Sequence, residues 1–170
     1  MTNKDEYIEY PLEYQGHPVY GVEYFITVYS NHKKLRFNID SGAYTNLISN
    51  PSLKGCKYDN TGKQVEARGL LGGVNTRIVM MYFAMEDIDL ETADIENIFY
   101  LPFTVLNKKD NFLFDSTEYD GLLGGTFLQF CDVNFREGYI RVYKKRSGGR
   151  VFNELLKRSK NPFDGFDIDD

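Results

Sequence analysis

The stretch that decides the reading is Phe37-Asn38-Ile39-Asp40-Ser41-Gly42-Ala43-Tyr44-Thr45-Asn46-Leu47-Ile48-Ser49. An alternating apolar run, Leu35, Phe37 and Ile39, ends in a carboxylate. A hydroxyl residue and a glycine follow at once, and then the chain turns apolar again. Gly42 allows a sharp turn and a close backbone approach that a side chain would block. Asp40 is therefore expected at the end of a strand, where loops carry chemistry on a rigid scaffold. The triplet alone is weak. An Asp-Ser/Thr-Gly occurs by chance in about one chain in ten of this length, and all three residues are ordinary turn formers.

Working outward, Tyr7 to Tyr14 alternates and reads as a strand, with Pro11 marking an edge. Gly16 is read as a turn and Pro18 to Tyr29 as the next strand, with Val22, Tyr24, Ile26 and Val28 on one face. Ser30 to Lys33 then closes a hairpin that delivers Asp40 to its loop. Asn50-Pro51 breaks the chain, and a loop holding Cys56 and Gly62 follows. Val65 to Gly69, the tip Gly69-Leu70-Leu71-Gly72-Gly73, and Arg77 to Met85 read as a projecting hairpin. That tip is no phosphate loop, because no Lys-Ser/Thr follows it and no helix opens there. Residues 86–96 are an acidic loop, Phe99 to Leu106 a strand, and 107–120 a polar loop. Gly121-Leu122-Leu123-Gly124-Gly125 precedes a short helical turn capped by Thr126 and running through Phe130. Asp132 to Phe135 and Tyr139 to Tyr143 form a last hairpin. Val151, Phe152, Leu155 and Leu156 recur at helical spacing to about Ser159, and an acidic tail, expected to be mobile, runs to Asp170.

The totals narrow the possibilities. The chain has 170 residues, 13 Tyr, 13 Phe and no Trp, a balance that favours half-buried pleated surfaces. That length suggests one domain, expected over residues 1–145, with 146–170 as a C-terminal helix and acidic tail. A net charge of -5 argues against a nucleic-acid partner, which needs a basic stripe. Lys144-Lys145-Arg146 is short and reads as a solvated edge. No apolar run approaches the length of a membrane span. Cys56 and Cys131 are too few for a disulfide framework, and residues 1–6 are too polar for a secretory signal, so a cytoplasmic location with reduced thiols is expected. His17 and His32 have no partners at metal-ligand spacing, and neither a metal nor a cofactor is expected.

Three separated features, Asp40-Ser41-Gly42-Ala43, the hairpin Gly69–Gly73, and Gly121-Leu122-Leu123-Gly124 before a short helix and closing strands, stand in an order that resembles the retropepsin-like aspartic proteases. These are the single-lobed relatives of pepsin. The resemblance covers roughly residues 7–145. It implies an all-β fold, a small closed acid-protease barrel with a short helix, and a homodimer with one catalytic aspartate per chain. On this resemblance Asp40 is the catalytic residue. Ser41 holds the paired loops together across the dimer, and Gly42 and Ala43 make the turn. Gly69, Leu70, Leu71, Gly72 and Gly73 form the flap over a peptide or protein substrate. Leu122, Leu123 and Gly124 pack beneath the catalytic loop. Tyr44 stands where a small or acidic residue is usual, Gly125 where retroviral members carry an arginine, and residues 146–170 have no counterpart in the minimal fold. Asp120 is read as structural.

The chemistry such a loop performs needs a pair. One carboxylate near its reference pKa is a poor acid and a weak base at neutral pH. Two held about 3 Å apart share one proton, so one accepts a proton from water while its neighbour donates to the peptide; aspartic proteases are the standard case. No second Asp-Ser/Thr-Gly exists in this chain, since Asp115-Ser116 is followed by Thr117 and Asp164 directly by Gly165. The mate of Asp40 must therefore be its own copy across a two-fold axis. The alternatives are an inactive barrel of the same fold that binds a peptide or partner, and a dimerisation module in which Asp-Ser-Gly is merely a turn.

Overall fold

The computed structural model describes residues 6–19, 21–69, 72–107, 119–144 and 154, with the backbone alone for His17, 65–69 and 72–75. The chain is mostly β-strand, as composition and alternation predict. Its strands are β1 (Tyr7–Pro11), β2 (Glu13–His17), β3 (Gly21–Ser30), β4 (Lys33–Ile39), β5 (Asn46–Ser49), β6 (Lys57–Gly69), β7 (Gly72–Phe83), β8 (Phe99–Leu106), β9 (Gly121–Leu123), β10 (Cys131–Asn134) and β11 (Tyr139–Tyr143). The single-turn helices α1 (Asn50–Leu53) and α2 (Gly125–Leu128) interrupt them. Among the described residues no helix is long and apolar enough to cross a membrane.

The strands form a three-stranded sheet, β1-β11-β10, and an eight-stranded sheet, β2-β3-β4-β9-β5-β8-β7-β6. The larger sheet does not close into the expected barrel. Among the described residues its edge strands β2 and β6 do not pair with one another. It curls only far enough for Tyr29, on β3, and Ala84, just after β7, to exchange two backbone hydrogen bonds of 2.8 and 2.9 Å.

Several local expectations change for identifiable reasons. The run Tyr7–Tyr14 is two strands, because Leu12 turns into the core and the chain changes sheets there; its N–H bonds Gly138 O at 2.9 Å. Gly16 stays in a strand, and the turn falls at Pro18-Val19, where proline presets the backbone and Gly21 supplies φ +83°. The supposed loop around Gly62 belongs to β6, whose register slips between Asn60 and Gln64 in a bulge. Asn50-Pro51 opens α1 instead of only breaking the chain, since proline is well placed in a first helical turn. Gly124 takes the position before α2, so Thr126 lies inside the helix, which ends at Leu128, two residues short of Phe130. The expected C-terminal helix and tail lie outside the described residues, except Glu154, which is helical.

The core explains why the Asp40 loop has a firm base. Along β4 the alternation holds: Leu35, Phe37 and Ile39 are buried, and Arg36 and Asn38 are partly exposed. On the opposite face of the hairpin, Phe25 is fully buried, with the Arg36 guanidinium 3.9 Å from its ring centre. Phe37 meets Phe103 of β8 at 5.6 Å between centroids, Phe103 meets Phe83 of β7 at 5.8 Å, and Phe99 meets Phe127 of α2 at 5.1 Å. Ring pairs of this kind contribute roughly 0.5–1.5 kcal/mol each beyond the area they bury. This chain of rings ties β4, β7, β8 and α2 into one unit.

Candidate active site

β9 determines where Asp40 sits. This three-residue strand lies between β4, to which it is parallel (Phe37↔Gly121, Ile39↔Leu123), and β5, to which it is antiparallel (Leu47↔Leu122). The chain leaves β4 at Ile39, passes over the end of β9, and returns as β5 on its other side. Residues 40–45 form that crossing. Gly121 is required because a Cβ there would lie 2.0 Å from Leu47 O, inside the backbone of β5.

The crossing is clamped from below. Asp40 N–H donates to Leu123 O at 3.0 Å, and Gly125 N–H donates to Ala43 O at 2.8 Å. Thr126 donates to Tyr44 O twice, through N–H and through Oγ1, each at 3.0 Å. Gly124 lies so close under the loop that a Cβ would stand 2.5 Å from Thr45 O and 2.6 Å from Ala43 O. Asn46, fully buried at the start of β5, accepts the Gly124 N–H on Oδ1 at 3.0 Å and donates Nδ2 to Pro102 O at 3.3 Å. Leu122 and Leu123 are buried as β9 itself.

Asp40 is partly exposed at the top of this base. Its Oδ1 accepts the Gly42 N–H at 3.0 Å, and its backbone oxygen accepts the Ala43 N–H at 3.2 Å, closing the turn. Oδ2 has no hydrogen bond among the described residues. One carboxylate oxygen is thus held by its own loop while the other remains available. Ser41 and Gly42 are exposed, and the Ser41 hydroxyl is likewise unbonded among the described residues. Tyr44 carries its ring 90% exposed on a backbone pinned through its carbonyl.

The hairpin β6–β7 pairs out to Gly69↔Gly72, with Gly73 opposite Arg68. Leu70 and Leu71 lie outside the described residues. The structure brings Asp40, Ser41, Gly42 and Ala43 together with Leu122, Leu123 and Gly124, and among the described residues no hydrogen bond joins the β6–β7 hairpin to residues 40–45.

Asp120 is occupied elsewhere. Oδ2 accepts the Arg36 N–H at 2.8 Å and Oδ1 accepts the Ser52 hydroxyl at 2.7 Å. Its own N–H and carbonyl bond Arg36 O and Ser49 N–H at 2.7 and 2.9 Å. It ties β4, β5 and α1 together, and every oxygen is engaged in structure. Sequence reasoning missed two residues of the clamp, Asn46 and Thr126. The only signal for Asn46 is a polar residue opening an apolar run, and Thr126 was assigned to a cap. Among the described residues no three His, Cys, Asp or Glu side chains are grouped so as to hold a metal ion. His32 bonds Asp87 at 2.7 Å on the exposed surface.

A scan against protein-family models finds no match, and no curated protein matches the chain. Among solved structures, the chain is similar to the crystal structure of a retropepsin-like aspartic protease from Rickettsia conorii. The two share 16% identity and a TM-score of 0.46, over 81% of this chain and 91% of that one.

Proposed function

We propose that the protein is an aspartic-type endopeptidase working as a homodimer, with the two Asp40 side chains, one from each subunit, as its reacting pair. One observation carries the reading. Asp40 rests on a loop anchored to β9 and α2, with Oδ1 fixed by Gly42 N–H and Oδ2 uncommitted among the described residues. A carboxylate half held and half free on a rigid base is the geometry a shared proton requires, since small displacements of reacting groups are costly. In the assembled pair, the repulsion of two like charges keeps one proton between the carboxyl groups. The charged member accepts a proton from a bound water as it attacks the peptide carbonyl carbon, and the protonated member hydrogen-bonds the carbonyl oxygen. The two act as a unit and titrate as one. The Ser41 hydroxyls would link the two loops across the axis. An extended peptide would gain strand-like backbone bonds from the β6–β7 hairpin.

The test is Asp40→Asn. Loss of peptide cleavage with unchanged unfolding behaviour supports the proposal, and undiminished cleavage refutes it. A second reading, a non-catalytic module that binds a peptide or partner, draws on Tyr44. A 90% exposed aromatic ring beside the acid suits recognition better than catalysis. Light scattering separates the two readings, because a chain that stays monomeric at every concentration cannot pair its Asp40 residues.

A further inference from the structure

A groove on the side of the small sheet shares no residue with the Asp40 loop. It is floored by Ile8, Met85, Phe99 and Val142 and edged by the exposed carboxylates of Glu86 and Glu96. Tyr10 also lines it, and burial, then the negative charge of Glu86, pushes its phenol above the ordinary tyrosine range. Ile95, next in sequence to Glu96, is 89% exposed. The acidic side extends beyond the two rim residues: 86–96 contains Glu86, Asp87, Asp89, Glu91, Asp94 and Glu96 and no basic residue. Lys144, which directly follows β11, lines the groove as well, where it pairs with Glu6 at 3.0 Å and feels the charge of Glu96.

The chain that continues from Lys144 has the complementary character. Residues 144–160 hold Lys144, Lys145, Arg146, Arg150, Lys157, Arg158 and Lys160 against the single acid Glu154. Between the basic clusters lie Val151, Phe152, Leu155 and Leu156, spaced as one apolar helical face. Ser147-Gly148-Gly149 carries no bulky side chain. Six residues, 145–150, span up to about 20 Å when extended, ample to return onto a groove that their starting residue already lines.

We propose that the groove is the docking site for the chain's own segment 151–156. Its apolar face covers Ile8, Met85, Phe99 and Val142, and its flanking bases face the carboxylates of 86–96. Opposite charges select this segment and orient it, and apolar burial holds it. The attraction between exposed charges weakens as salt rises. This inference does not depend on the chemistry proposed for Asp40.

The test compares amide hydrogen exchange in the full-length wild type with a full-length Phe152→Ser/Leu155→Ser variant and with Glu86→Gln/Glu96→Gln. Docking predicts that both variants exchange at least about fivefold faster over 84–98 and 139–144, with β7 and β8 unchanged, as expected for a local opening. In the wild type, protection over these residues should fall in high salt and stay the same when protein concentration is varied tenfold. Unchanged exchange over 84–98 in the Phe152→Ser/Leu155→Ser variant overturns the proposal. Protection that depends on protein concentration also overturns it, because the occupant would then be a second copy.

Discussion

The Asn46 side chain grips the N–H of Gly124 at 3.0 Å, and this one amide joins the start of β5 to the turn on which the Asp40 loop rests. Its other end reaches Pro102 O on β8, so three backbones converge on a single buried side chain. A buried polar group of this kind holds a geometry as much as it adds stability, because every alternative leaves a donor or acceptor unpaired. Asn46→Leu should destabilise the protein by about 1–3 kcal/mol, since Gly124 N–H then loses its side-chain acceptor in a buried setting and Pro102 O loses a donor. Urea titration checks this, and the midpoint should fall while the slope stays constant.

Gly124→Ala and Gly42→Ala should separate cleanly. At Gly124 the new Cβ meets two backbone oxygens at 2.5 and 2.6 Å, and neither can move without shifting the loop. At Gly42 the nearest neighbour is Asp40 Oδ1 at 3.3 Å, a side-chain atom able to yield. Overpacking of the first kind costs about 1–3 kcal/mol or more. Gly124→Ala should therefore lower thermal stability by several degrees, and Gly42→Ala by far less, in parallel calorimetric scans.

The two aspartates beside β4 should behave oppositely. Asp120 supplies both carboxylate oxygens to structure, so Asp120→Ala removes acceptors for Arg36 N–H and the Ser52 hydroxyl. Hydrogen bonds to a charged acceptor contribute about 1.5–3 kcal/mol each, so a loss of at least that size is expected. Asp40→Asn keeps an oxygen to accept the Gly42 N–H and should leave stability within about 0.5 kcal/mol of wild type. Chemical denaturation of both variants side by side decides it.

Cys56 gives a pH dependence. Burial, partly offset by Lys33, pushes its thiol from 9.0 up to about 11. Because the folded value is the higher one, the folded chain holds this proton more tightly than the unfolded chain does. The stabilisation is complete below about pH 9 and is lost as pH rises towards 11. Between those values Cys56→Ala should lose stability less steeply than wild type. Equal slopes would mean that the thiol titrates alike in both states.

Much of this architecture was written in local patterns. The β3–β4 hairpin follows from alternation, and its turn from Asn31 and His32, which take φ of 51° and 65°. The loop after Ile39 follows from Asp-Ser-Gly. What escaped sequence reasoning depends on distant pairing. β9 is three residues long and has no periodicity of its own; it is a strand because β4 and β5 flank it. Asn46 and Thr126 hold the loop through bonds spanning 78 and 82 positions of sequence, which no short-range pattern encodes. The open sheet likewise depends on how far the curl carries Tyr29 towards Ala84.

The central claim is that two copies of Asp40 share a proton. The most direct measurement is the separation of the two Asp40 carboxylates in a structure of the assembled protein. The proposal predicts a symmetric dimer with carboxylate oxygens about 3 Å apart. A chain that never self-associates, or a dimer that holds these two acids beyond hydrogen-bonding reach, would contradict it.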